Sequence, residues 1–156
     1  MTRRQPSSRS CFVCGRDNAV GLKMRWDSHP EEGEIQATVT VSEHLNGYPG
    51  VVHGGILAAI LDETAGRTIL LDGGADDLMV TAKLEVAYRR PTPTEVPLLL
   101  VGQLLSRTET RAEAKAEIRL PDGTVSARSR VLLARPPREI SQGWEAERPY
   151  FKVDPD

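Results

Sequence analysis

A six-residue stretch, Ile56-Leu57-Ala58-Ala59-Ile60-Leu61, is apolar on every side of a helix, with Gly54-Gly55 before it and Asp62-Glu63 after it. A helix start without a polar face is buried, not laid on a surface. The chain is therefore expected to wrap a sheet around one central helix, running from the glycine pair to about Leu71, where Asp72-Gly73-Gly74 ends it.

The rest of the hydrophobic pattern has a period of two. Glu34 to Val41 alternates, with Ile35, Ala37, Val39 and Val41 on one side. Met79 to Tyr88 alternates again, grouping Val80, Ala82, Leu84, Val86 and Tyr88 and leaving Thr81, Lys83 and Glu85 opposite. Leu98 to Leu105 is almost continuously apolar, as a strand covered on both faces or at a subunit contact would be. Arg111 to Leu120 has the composition of a helix, but its apolar residues fall on every second position, and pattern outranks propensity. Pro121-Asp122-Gly123-Thr124 then turns the chain into a last strand, Val125 to Ala134. One helix followed by a four-strand meander is an α+β arrangement with an antiparallel sheet curling around the helix.

A chain of 156 residues holds one well-cored domain. Aromatic residues are only 4% of it, so Val, Leu, Ile and Ala must build the core. Residues 1–10 are rich in Arg and Ser and are expected to be a disordered tail; 11–136 form the domain; 137–156, with Pro137, Pro149 and Pro155, are an extension outside the sheet that Trp144, Tyr150 and Phe151 can dock. Twenty basic and 22 acidic residues, well mixed, give no reason to expect nucleic acid. No apolar run approaches the roughly 20 residues that span a bilayer, and the N-terminus lacks a secretory core, so no membrane is expected and a cytoplasmic location is. Cys11 and Cys14 form a Cys-x-x-Cys, but a zinc site takes about four ligands and there is no second pair, so no metal and no cofactor are expected.

The chemistry concentrates around the helix start. Gly54 and Gly55 let a ligand approach main-chain N–H groups in a first helical turn, where orphan amides and the helix dipole favour developing negative charge. They are candidates for an oxyanion hole, such as a thioester carbonyl needs. Asp62 ends the apolar run, and a carboxylate there must be hydrogen-bonded, neutralised or in a wet cleft. The plainer reading is a tight turn at His53-Gly54-Gly55 and a first exposed acid at Asp62.

These residues resemble the hotdog-fold acyl-CoA thioesterases, in particular the phenylacetyl-CoA thioesterase-like branch. The likeness rests on His53-Gly54-Gly55 with Asp62 nine positions after the histidine, on Cys11-Phe12-Val13-Cys14-Gly15 through Gly21-Leu22, and on Thr81 through Pro91. It covers roughly residues 11 to 135. The resemblance implies a curved sheet around one long helix, hydrolysis of acyl-CoA to acid and CoA, Asp62 as general base or nucleophile, and a glycine amide supplied by the partner subunit of a homodimer or homotetramer. It also matches Asn46 to a polar active-site position and Thr81 to a threonine some relatives use. His53 is an acid–base or a structural residue, with the resemblance favouring the second. Glu63, adjacent to Asp62 and about 100° around the helix, is a structural or interface acid, and also a substrate-side candidate. Thr64 can orient a carboxylate or bond its own backbone, and Arg89 and Arg90 can pair with CoA phosphates or stand in solvent. Two other readings stay open: a non-catalytic acyl-CoA sensor, and a hotdog hydratase or dehydratase, against which stands the lack of a second catalytic His.

Overall fold

The computed structural model describes residues 1–72 and 74–155, so Gly73 of the expected helix stop lies outside the described residues. The strands are β1 (Arg3–Arg4), β2 (Asp27–His29), β3 (Glu34–Thr40), β4 (Asn46–Tyr48), β5 (Val51–Val52), β6 (Val80–Tyr88), β7 (Pro97–Arg107), β8 (Arg111–Arg119) and β9 (Val125–Ala134). Helix α1 spans Gly54–Gly66 and a short α2 spans Arg138–Gln142. Seven strands form one sheet in the order β1-β2-β3-β7-β8-β9-β6, every neighbouring pair antiparallel, and β4-β5 make a separate hairpin. This is the α+β architecture the pattern calls for, and the alternating alanines of β8 are buried as that reading requires: Ala112, Ala114 and Ala116 beside Ile118.

Three expectations change. The four late strands do not form a simple meander, because β6 pairs with β9 and ends the sheet. The cause is the Pro-rich link 89–96, whose extended backbone leaves the sheet to bond the helix entrance: Thr92 O accepts from Val52 N at 2.9 Å, and Pro93 bridges to Val51. Residues 1–10 are not a free tail. Gln5 N donates to Trp26 O, its side chain reaches Ser28 Oγ and Arg67 O, and Arg3 bonds the carbonyls of Leu70 and Leu71 that end the helical segment. Orphan carbonyls at a helix end attract such donors, which composition does not reveal.

The third change concerns the enclosed helix. The buried residues of α1 are Leu57, Ile60, Leu61, Thr64 and Ala65, a single stripe at i, i+3, i+4, i+7 and i+8. One sheet layer covers that stripe and leaves Ile56, Ala58 and Ala59 only half-buried. Beyond Gly66 the helix tightens into a 3₁₀ turn, Arg67–Leu71.

The stripe seats on the sheet through particular contacts. Thr64 Oγ1 donates to Ile60 O at 2.8 Å and accepts from Trp26 Nε1 at 3.1 Å, while the Arg67 guanidinium lies 4.3 Å over the Trp26 ring. Opposite them β7 carries Gly102, where an added Cβ would stand 2.9 Å from Ile35 Cγ1 and 3.0 Å from the Thr64 carbonyl. Gly102→Ala should therefore destabilise the protein by about 1–3 kcal/mol through overpacking, more than the roughly 0.4–1 kcal/mol that losing a glycine recovers from the unfolded chain. Urea unfolding checks this, and an unchanged midpoint would show that the helix does not rest there.

Candidate active site

Asp62 lies on the half-covered side of α1 and opens on a cleft of about 610 Å³, a volume suited to a small ligand. Cys11, Cys14, Glu63, Thr81, Trp144 and Phe151 are among its walls. Thr81 Oγ1 donates to Asp62 Oδ1 at 2.7 Å, which orients the carboxylate and leaves its other oxygen free of that bond. Strict alternation would put Thr81 on the far face of β6. The register shifts between Thr81 and Lys83, so Thr81 stands opposite the inward Leu133 while Leu84 stands opposite the inward Val131. A bulge at Ala82 thus turns Thr81 toward the helix.

The glycine pair sits at the other end of α1. His53 caps the helix, its Nδ1 accepting from Gly55 N at 2.9 Å, which gives the histidine a structural bond. Among the described residues no acceptor takes the Gly54 N–H. Tyr88, which the sequence reading treats only as part of an apolar face, donates its hydroxyl to Gly54 O at 2.6 Å and braces this end. Asp62 is eight residues from Gly54, about 12 Å along the axis at about 1.5 Å per residue. Within one chain the carboxylate and the free amide cannot meet at one carbonyl group.

Asn46 belongs to the glycine end. Its Nδ2 donates to Glu43 Oε1 at 2.8 Å, and Glu43 also accepts from Gly50 N and, at 2.5 Å, from Thr94 Oγ1. Glu43 thereby ties together the loop before the helix, a role its surroundings in sequence do not signal. Thr64 is fully buried with its hydroxyl committed to Trp26 and Ile60, so it bonds its own backbone and does not reach a carboxylate or a substrate in the cleft. Glu63 faces the cleft but pairs with Arg67 Nε at 2.8 Å, and burial pushes its carboxyl pKa up, with Arg67 opposing. Arg89 and Arg90 are exposed, both main-chain N–H groups bond Ser126 O, and the Arg90 charge helps hold the Asp122 carboxyl low, behind that carboxyl's own hydrogen bonds to Thr124. The predicted residues thus fall into two clusters: Asp62, Glu63 and Thr81 at one end of α1, and Asn46, His53, Gly54, Gly55, Arg89 and Arg90 at the other.

Residues 49–127, half of the chain, match the sequence model of the family described as Thioesterase superfamily. The chain belongs to the thioesterase superfamily. The matched segment holds both ends of α1 and every strand from β5 to β8. Among curated relatives, this superfamily member is 30% identical over 107 residues to the acyl-coenzyme A thioesterase THEM4 of Rattus norvegicus, an alignment covering 69% of this chain and 44% of that one. The chain thus spans less than half the length of that relative. A crystal structure of another thioesterase superfamily protein shares 33% identity and a TM-score of 0.73, covering 81% of this chain and 60% of the other. The structure of smu.793 from Streptococcus mutans, bound to acetyl CoA, shares the fold at 19% identity and a TM-score of 0.60, covering 65% of this chain and 80% of that one. Among the described residues no helix is long and apolar enough to cross a membrane.

The Glu43 knot carries a pH signature. The Thr94 hydroxyl, then Asn46 and Gly50, hold its carboxyl below the usual carboxylate range. A depressed folded-state value stabilises the fold above the unfolded value of about 4.3 and loses that contribution as pH falls through the lowered one. Glu43→Gln should flatten this part of the acid limb in thermal melts between neutral and acid pH; an unaltered limb would mean the knot contributes nothing.

Proposed function

We propose that this protein hydrolyses acyl-CoA thioesters in a site built from two copies of the chain. The observation that carries this reading is the split of complementary groups along α1: a carboxylate oriented by Thr81 over a cleft, and an unpartnered Gly54 N–H at a positive helix end about 12 Å away. An antiparallel pairing of two such helices brings one chain's Asp62 to the other's Gly54. The exposed edge strand β6 and the half-covered face of α1 supply surface for that pairing, since an open edge and an uncovered apolar stripe both favour association.

In this site the Gly54 N–H polarises the thioester carbonyl and holds the oxyanion. Asp62 acts as general base, taking a proton from water whose oxygen adds to the carbonyl carbon, or adds to that carbon itself to leave a mixed anhydride that water then hydrolyses, the water supplying the proton that the sulfur takes up. Collapse of the adduct breaks the carbon–sulfur bond and releases CoA, whose sulfur takes up the proton. Arg89 and Arg90, exposed beside the glycine end, suit the CoA phosphates. The acyl-CoA thioesterase relatives and the acetyl-CoA-bound structure of the same fold support the substrate class. A cytoplasmic setting and a dimer or tetramer belong to the same proposal.

Free-thiol release from a panel of acyl-CoAs tests it. Wild type should turn over at least one member, and Asp62→Asn should lower kcat by about 10²–10⁴-fold, the usual worth of a positioned acid–base group, with an unchanged circular dichroism spectrum. Stoichiometric binding of acyl-CoA without thiol release would make the protein a sensor, and wild-type turnover by Asp62→Asn would remove the carboxylate from the mechanism.

A further inference from the structure

From sequence, Cys11 and Cys14 lack companions for a metal. The fold supplies one. The two sulfur atoms and a carboxylate oxygen of Glu63 lie within 4.8 Å of one another, Cys14 buried and the other two half-buried. The cysteine loop reaches the helix because residues 1–10 are bound in place, Ser8 Oγ accepting from Cys11 N at 3.1 Å. We propose that Cys11, Cys14 and Glu63 bind a soft divalent cation of the zinc class, clamping the first loop to α1.

Three features of the loop and its surroundings agree. The loop is shaped around the sulfurs: Gly15 N donates to Cys11 O at 2.8 Å, Val13 N donates to Cys11 Sγ at 3.3 Å, and a Cβ at Gly15 would stand 2.3 Å from Cys11 O, so only glycine closes this turn. Main-chain N–H donated to sulfur favours a thiolate, the ligand form. Charge also balances. With both thiols and Glu63 ionised around a bound cation, three negative charges face one buried positive charge, Arg67, whose Nε bonds Glu63 Oε1. The remaining two negative charges match a divalent ion, and burying them unpaired would be costly. Finally, the donor set is right. Two sulfurs and a carboxylate oxygen suit zinc, whose ligand distances of about 2.0–2.3 Å put neighbouring donors about 3.5–3.8 Å apart, a closure that side-chain rotation supplies. All three residues line the cleft, so the fourth position faces it and takes a water. A Cys11–Cys14 disulfide is the competing fate of the pair, and it would leave Glu63 with its Arg67 pairing alone.

The inference does not depend on the thioesterase reading, and its test needs no turnover. Full-length protein, purified under reducing conditions without a metal-affinity tag, is assayed for bound metal by plasma mass spectrometry. It is then stripped with chelator and titrated with Co²⁺. About one zinc per chain and an intense thiolate-to-cobalt charge-transfer band in the near ultraviolet are expected. Cys11→Ser and Cys14→Ser should each abolish the band, and Glu63→Gln should weaken Co²⁺ binding by about tenfold or more, at least the cost of losing an outer-shell partner. Reduced wild-type protein that holds no zinc and gives no cobalt band, or that forms a Cys11–Cys14 disulfide in the presence of Zn²⁺, would overturn the proposal. The wild-type titration decides the matter even if a variant fails to fold.

Discussion

Helix α1 carries more apolar surface than one sheet layer can cover. Its stripe from Leu57 to Ala65 sinks onto β7, β8 and β9, held by Trp26 on Thr64 and by the absent side chain of Gly102, while Ile56, Ala58 and Ala59 are left half-covered. Seating one stripe fixes where the other face points. That face carries Asp62 and Glu63, and the cleft, the cysteine loop and the C-terminal extension gather on it. The extension is held there by charge, with Arg9 bidentate on Glu147 and Arg16 on Asp154, so its aromatic residues wall the cleft instead of trailing into solvent.

The two ends of the helix serve opposite electrostatic purposes. At the N-terminus, main-chain amides and the dipole offer positive potential, and only one of the first two, Gly54, is spared by the His53 cap. Two turns later a carboxylate offers a base. A rigid helix cannot fold back on itself, so in the proposed two-chain site the separation that would spoil a monomer sets the register of the pair. The Glu43 knot and the Tyr88 hydroxyl then keep the amide end in shape.

Periodicity and turn residues made most of this fold legible. The strands at 34, 80, 97, 111 and 125 begin within a residue of where alternation and the Pro121–Thr124 turn place them. What pattern could not show is long-range or local in a finer sense. The placement of β6 beside β9 depends on the path of a proline-rich link. A one-residue bulge at Ala82 reverses the face of Thr81 and brings its hydroxyl to Asp62, where simple alternation pointed away. Residues 1–10 are ordered by carbonyls at a distant helix end, and Glu63 meets the cysteines only once that segment is in place. Thr64 takes the plainer of its two readings, its hydroxyl spent on its own backbone and on Trp26.

Subunit complementation tests the shared site most directly. Proline at Gly54, the first helical position, deletes the one N–H while fitting the helix, and His53 at φ −59° and ψ 135° already has the backbone a following proline prefers. Asp62→Ala and Gly54→Pro chains should each release almost no thiol from acyl-CoA alone. Refolded together in equal amounts, they should regain about a quarter of wild-type activity, because half the dimers are mixed and each holds one intact site of two. A mixture as inactive as its parents, with mixed dimers demonstrated by mass, would contradict a site shared between subunits.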